Sequence, residues 1–264
     1  MLSASGPTAG SSLIAPLNLP GVHYSDRQWT EALRWRLGVL APAYGTCKNE
    51  RLDERVCGEA LDDGGDHAVE CSIGPLRNFR HNDIADIYAD IFEEIGAVAR
   101  REVFVPEFST AGVEAWLDVW AHGVPEVPDA LLDITVRHPR ADRYQPAAAR
   151  VAGHAAAQAE REKFVTYPPA GGRSIIAVAH ETWGRLGEQA EQLLAACNAA
   201  ATRQAYRRGR LPGSNLRRWR AQLDAALHRG IASQLVSARC GLPGRRRRRV
   251  APIDVAVLET RCPL

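Results

Sequence analysis

The sequence predicts an α/β domain with a mixed sheet, in the order helix, three strands, helix, strand. Three observations carry this expectation. Residues 82–96 place Ile84, Ile87, Tyr88, Ile91 and Ile95 on one side of a helix with acids on the other. Three short segments follow at 102–106, 114–120 and 130–137; the second alternates apolar and polar residues, and the third is mostly apolar, as strands do. An alanine-rich helix over 146–167, closed by Pro168-Pro169, then leads into the apolar strand 174–179. Alternating elements of this kind build a layered α/β core.

Around this core the chain reads as follows. Residues 1–24 are rich in Ser, Gly and Pro and are expected to be disordered. Residues 24–40 read as a helix capped by Ser25, with Trp29, Leu33, Trp35 and Leu37 as its apolar contacts. Residues 41–78 are loop-rich, with turns at Gly64-Gly65 and Gly74-Pro75. Gly96 ends the first core helix, and residues 122–128, with one Gly and two Pro, form a turn. Two further helices are expected at 182–208 and 214–238, then a Pro/Arg-rich tail from 241 with a strand-like piece at 253–258. The expected organisation is a disordered segment 1–24, a helix plus Cys/His segment 25–79, the α/β core 80–180, C-terminal helices 181–240 and an Arg-rich tail 241–264.

Hydrophobic residues make up 45% of the 264, enough for a real core. No apolar run approaches the roughly 18 residues of a membrane span. No basic region precedes an apolar block near Met1, so no signal peptide is expected and the protein is expected to be intracellular. The net charge of +2 hides an uneven distribution. Acids concentrate between Asp53 and Asp133, whereas Arg203, Arg207, Arg208, Arg210, Arg217, Arg218, Arg220 and the run Arg245 to Arg249 make the C-terminal third basic. Such a region suits contact with phosphates or a localisation signal; a solvated arginine-biased tail is the alternative.

The chemistry concentrates in Asp118, Asp133 and Lys163. If 114–120 and 130–137 form a hairpin, facing residue numbers sum to about 251 and Asp118 lies opposite Asp133 on one face. Two facing carboxylates repel; one is protonated or both bind a cation. A hard ion such as Mg²⁺ takes few carboxylate ligands, keeps waters for a phosphate, polarises the phosphoryl oxygen and activates water. Lys163, one of two lysines in the chain with Lys48, shares a helix face with Ala159 and Tyr167. The small Ala159 lets that helix lie close to the sheet, so Lys163 can orient water or stabilise charge. A rim aspartate or a solvated lysine is the plain alternative for each residue alone. Pro128-Asp129 spells a literal Pro-Asp, but its aspartate falls in the turn.

A second cluster is Cys47, Cys57, His67 and Cys71, in a Gly-rich segment with little apolar content. Four such ligands suit a closed structural zinc site, and the wide Cys47–Cys57 gap makes Cys47 the outlier. Free cysteines in a loop are the alternative. Arg80 and His81 precede Asn82, a good N-cap; at a helix N-terminus they could contact a phosphate or simply flank the cap.

Taken in order, Cys57-Gly58, Leu61-Asp62-x3-Asp66-His67-Ala68-x2-Cys71, Arg80-His81-Asn82, Asp118, Leu132-Asp133-Ile134-Thr135-Val136 and Ala159-x3-Lys163-x3-Tyr167 match a known pattern. Over about residues 25–190 the chain resembles the C-terminal zinc knuckle plus restriction-endonuclease-like domain of site-specific non-LTR retrotransposon polyproteins. The resemblance implies a PD-(D/E)xK nuclease fold, an αβββαβ core whose lysine has moved to the following helix. It assigns Asp118 and Asp133 as the acids that hold Mg²⁺, Lys163 as the relocated lysine and Tyr167 as its companion. Leu117 stands where the family has proline. The implied function is a DNA endonuclease that nicks its target to prime reverse transcription, with Mg²⁺ and Zn²⁺ as cofactors, DNA and the element's RNA as partners, and a nuclear or otherwise intracellular location. Glu94 and Glu107 are candidates for a further acid. A non-catalytic nucleic-acid-binding relic of such an element is the competing expectation, discriminated by whether Asp118, Asp133 and Lys163 converge in space.

Overall fold

The structure is a computed structural model that describes residues 2–16, 18–39, 45–51, 55–110, 112–123, 129–211 and 213–241. The arginine run 245–249, the strand-like piece at 253–258 and most of the turn after Gly123 lie outside the described residues. The elements are α1 (Asp26–Leu37), α2 (Asp66–Glu70), α3 (Leu76–Glu94), β1 (Val98–Phe104), β2 (Trp116–His122), β3 (Ala130–Arg137), α4 (Gln145–Ala148), α5 (His154–Thr166), β4 (Ile176–Glu181), α6 (Glu188–Arg207) and α7 (Asn215–Cys240). The chain divides into two compact units, residues 1–22 with 81–224 and residues 23–80 with 225–264.

The first unit holds a four-stranded mixed sheet in the order β1-β2-β3-β4. β1, β2 and β3 are antiparallel neighbours, and β4 runs parallel to β3 after the α4–α5 crossover. Val119 pairs with Leu132, Trp120 with Leu131 and Ala121 with Ala130, the register expected from the hairpin. β2 alternates: Leu117, Val119 and Ala121 are buried, whereas Asp118, Trp120 and His122 are half-buried. β3 and β4 are almost wholly buried, as strands flanked by others on both sides or covered by helices must be. Ala156 and Ala159 of α5 pack on Ala179 of β4; three small side chains let the helix come close to the sheet. From α3, the Tyr88 hydroxyl meets His180 Nε2 of β4 at 3.2 Å, both side chains being buried.

Two buried glutamates join the helices to this core. Glu181 Oε1 accepts from the N–H groups of Ala155 (3.0 Å) and Ala156 (3.2 Å), capping α5. Glu160 Oε1 accepts from Gln189 N–H at 3.1 Å in the first turn of α6. Gly187, the α6 N-cap, leaves room for that carboxylate, which an added Cβ would overlap. Gly187→Ala is therefore expected to destabilise the protein by about 1–3 kcal/mol, the cost of overpacking a filled site. Its thermal midpoint, measured against wild type, checks this.

Several expectations are corrected. Within the segment expected to be disordered, the described residues include buried Thr8 and Ser12, and the Asp224 carboxylate takes the N–H groups of Gly10 (2.9 Å) and Ser12 (3.0 Å). The small residues that suggested disorder allow this close approach of backbone to a buried acid. The C-terminal helices do not stand apart, since residues 181–224 belong with the sheet and 225–241 with the Cys/His segment. α3 starts at Leu76, directly after Pro75, so Asn82 is not an N-cap. The helix expected over 146–167 breaks at Gly153, whose left-handed φ of 78° starts α5 afresh.

In the second unit α1 starts with a capping box, Ser25 and Gln28 bonding reciprocally, and ends at Gly38 with φ 67°. Glu31 is buried in α1 and pairs with Arg239 of α7. Gln234, also on α7, accepts from Arg80 Nη1 at 2.6 Å and donates to the Val69 carbonyl at 3.0 Å.

Candidate active site and metal centre

Asp118 and Asp133 stand where the β2–β3 ladder stops. Its last rung is Val119–Leu132, and beyond it Asp118 Oδ2 accepts the Ile134 N–H at 2.5 Å. A side chain thus takes the donor that the next rung would use, splitting the two strands at the acids. Lys163 of α5 reaches this split, its Nζ lying 3.0 Å from Asp133 Oδ1 and 2.8 Å from Oδ2. The Asp118 carboxyl is close enough to hydrogen bond to Asp133. Asp118, Asp133 and Lys163, named from three separate segments of sequence, therefore meet.

Burial dominates the electrostatics. It pushes the Asp118 carboxyl up to about 7, opposed by the Ile134 N–H bond, raised further by the Asp133 charge and lowered by Lys163 and Arg101. Burial also raises Asp133, with Lys163, Arg137 and the Asp118 bond pulling the other way. Burial thus outweighs the nearby Lys163, Arg101 and Arg137 charges at both acids, and a cation bound between the carboxylates would relieve that cost.

Tyr167 follows α5, its ring centroid 5.9 Å from Lys163 Nζ and its edge against Phe108. Burial and the Asp133 and Asp118 charges raise its phenol above the ordinary range, and Lys163 lowers it. Tyr167 packs against an apolar cluster that includes Val105, Phe108 and Leu117.

The structure separates Arg80 from His81. Arg80 is buried in the second unit with its guanidinium on Gln234, and burial and the neighbouring Arg77 lower its pKa to about 9. It is not at a helix N-terminus, and a side chain this buried is not a surface phosphate contact. His81, one turn into α3, instead places Nε2 3.2 Å from Asp118 Oδ1. Arg101 donates to the Asp118 carbonyl at 2.9 Å and also pairs with Asp86. Sequence reasoning missed Arg101 and Arg137; only strand alternation, which places Arg137 four residues past Asp133 on one face, could have flagged the latter. Of the two candidate further acids, Glu94 is engaged by Arg218 and Trp219, and Glu107 lies 3.6 Å from Arg173.

The second unit holds the Cys/His cluster. Residues 46–51 and 55–60 run antiparallel, with bridges between Thr46 and Ala60 and between Glu50 and Val56. This returns Cys57 to the neighbourhood of Cys47 and resolves the wide spacing. α2 brings His67 and leads to Cys71, its backbone held by Asp62, which accepts from Asp66 and His67 N–H groups at 2.8 Å each. The four ligand atoms of Cys47, Cys57, His67 and Cys71 lie within 4.8 Å of one another. The Cys47–Cys71 sulfurs are 3.8 Å apart, and Cys57 Sγ is 3.5 Å from His67 Nε2. Tetrahedral bonds of about 2.3 Å to sulfur and about 2.0–2.1 Å to nitrogen set these same edges, roughly 3.5–3.8 Å. Glu59 faces the other ring nitrogen of His67 at 3.5 Å, as outer carboxylates do beside metal-bound histidines. Burial, opposed by a bond to Asn49 and reinforced by the neighbouring Cys71 and Cys57, pushes the Cys47 thiol up to about 12. The residues fit a metal ion such as zinc, which would take up the charge that this crowded set cannot carry alone.

Among the described residues no helix is long and apolar enough to cross a membrane. No family profile matches the chain, and no curated protein matches it.

Proposed function

We propose that the first unit is a Mg²⁺-dependent DNA endonuclease domain of the restriction-endonuclease-like, PD-(D/E)xK class, with its lysine on the helix after the acidic strands, and that the Cys47–Cys71 segment of the second unit is a structural zinc knuckle. In the retrotransposon setting that the motif order resembles, the reaction is a nick that exposes a 3′-hydroxyl for reverse transcription. The observation that carries this reading is the meeting of Asp118, Asp133 and Lys163 at the split between β2 and β3.

A bound divalent ion supplies Lewis acidity at the phosphoryl oxygen and an acidified water. Asp118 and Asp133 would hold it. Lys163, anchored on Asp133, offers its remaining donors to an attacking water or to the charge that grows on the phosphoryl oxygens. Tyr167 keeps the lysine stem in place. His81 orients Asp118 from the α3 side, and the Ile134 N–H fixes the other carboxylate oxygen.

The test is nicking of supercoiled DNA by the purified chain with Mg²⁺. Wild type is expected to nick, and Asp133→Ala to lose at least about 10²-fold, the scale of one electrostatic group in a dry site. Unchanged nicking by Asp133→Ala, or inert wild type that still binds DNA, overturns the assignment.

A further inference from the structure

The strand that carries Asp118 also carries Trp116, Trp120 and His122 at every second position. Register pairs Trp116 with Phe104 and Trp120 with Arg100 on β1, which is the edge of the sheet. Trp116 is 54% and Phe104 42% exposed, with ring centroids 5.5 Å apart. Trp120 and His122 stack at 4.4 Å with planes 19° apart, and the Arg100 guanidinium lies 6.0 Å over Trp120. Glu114 accepts the Trp116 indole N–H at 3.0 Å and so fixes how that ring is presented.

A cross-strand aromatic pair stabilises a hairpin modestly. That accounts for the pairing of Trp116 with Phe104, but not for leaving both rings open to solvent. Along β2, Asp118 lies midway between Trp116 and Trp120, about 6–7 Å from each at strand spacing. The ring pair, the candidate acid and the ring stack under an exposed arginine therefore form one continuous strip. Flat π-faces interleaved with a cation are the makeup of surfaces that bind unpaired bases and their phosphates. In a duplex the base faces are closed against each other and offer nothing to an aromatic ring.

We propose that Phe104, Trp116, Trp120 and His122, with Arg100, form a stacking platform for the unpaired bases of a single DNA strand on either side of the phosphate facing the cation that Asp118 and Asp133 would hold. The platform gives the unit a preference for locally melted or single-stranded substrate. The placement of the phosphate rests on the nuclease reading above; the stacking surface itself does not.

The test uses the full, zinc-loaded chain without added Mg²⁺, so that binding is read without cleavage. Fluorescence anisotropy of a labelled oligo-dT and of a duplex of the same length gives both affinities. Wild type is expected to prefer the single strand. Trp116→Ala should weaken single-strand binding roughly tenfold, from the loss of about one stacked base, and leave duplex binding unchanged. Trp116→Phe should keep most of the affinity. The salt dependence should not change in Trp116→Ala, whereas Arg100→Ala should lower its slope by about one phosphate contact. An abasic oligonucleotide should bind wild type as weakly as oligo-dT binds Trp116→Ala, and should show no further loss with that variant. Circular dichroism confirms that each variant is folded. No single-strand preference, equal binding by folded Trp116→Ala, or a wild-type dimer that Trp116→Ala dissociates overturns the platform. Intact stacking behaviour in a wild-type chain that never nicks would overturn only the nuclease reading.

Discussion

Asp118→Asn is expected to make the Mg²⁺-free protein more stable at pH 8 while removing Mg²⁺-dependent nicking. An ordinary aspartate loses its proton near pH 4, whereas burial and the Asp133 charge hold the Asp118 carboxyl at about 7. Between those values the folded protein binds a proton that the unfolded chain does not. Stability therefore falls as pH rises through roughly 4 to 7 and stays reduced above it. Allowing for the proton shared with Asp133, the Asp118 contribution is on the order of 2 kcal/mol. Asparagine has the same shape, can still accept the Ile134 N–H and can donate to Asp133, but carries no charge to desolvate. Urea melts of the zinc-loaded, Mg²⁺-free chain at pH 5 and pH 8 should show a gap for wild type that shrinks in the variant. Nicking should fall by roughly 10²–10³-fold, since the amide is a poor ligand for a hard cation. A variant less stable than wild type at pH 8, or one that still nicks, would remove the physical basis for the acid pair as a cation site.

Stripping metal from the Cys/His cluster is expected to unfold its segment. Among the described residues of 45–74, the buried hydrophobic side chains are Ala68, Val69 and the ligands Cys47 and Cys71, so this segment depends on what joins Cys47, Cys57, His67 and Cys71. Apparent zinc-binding energies in such small sites reach about 10–16 kcal/mol near neutral pH, and the binding energy is folding energy. The purified chain should hold one zinc per molecule by elemental analysis. Chelation, or Cys71→Ser, should bring rapid proteolysis within this segment. Thiols must lose protons to bind, and the Cys47 thiol is held at about 12, so zinc affinity should fall steeply as pH drops. A chain with no zinc and unchanged protease resistance would contradict this account.

The sequence by itself determined the order of the core elements, the β2–β3 register and the identity of the ligand and acid candidates. These follow from local rules: alternation fixes which way a strand residue points, a glycine or proline ends an element, and a sum of residue numbers fixes a hairpin. Ala159 was legible as a close-packing residue because a small side chain at helical spacing has one obvious use. Tertiary structure decided the rest. Only folding shows that the Thr46–Ala60 and Glu50–Val56 bridges cancel the long Cys47–Cys57 gap, because strand pairing makes distance along the chain irrelevant. Only folding sends Arg80 into a buried pocket with Gln234 and His81 to Asp118, since two adjacent helix residues point about 100° apart and meet different neighbours. The ordered N-terminal segment was invisible for the same reason. Its partner Asp224 lies more than two hundred residues away, and a buried acid that needs donors finds them in space, not in sequence.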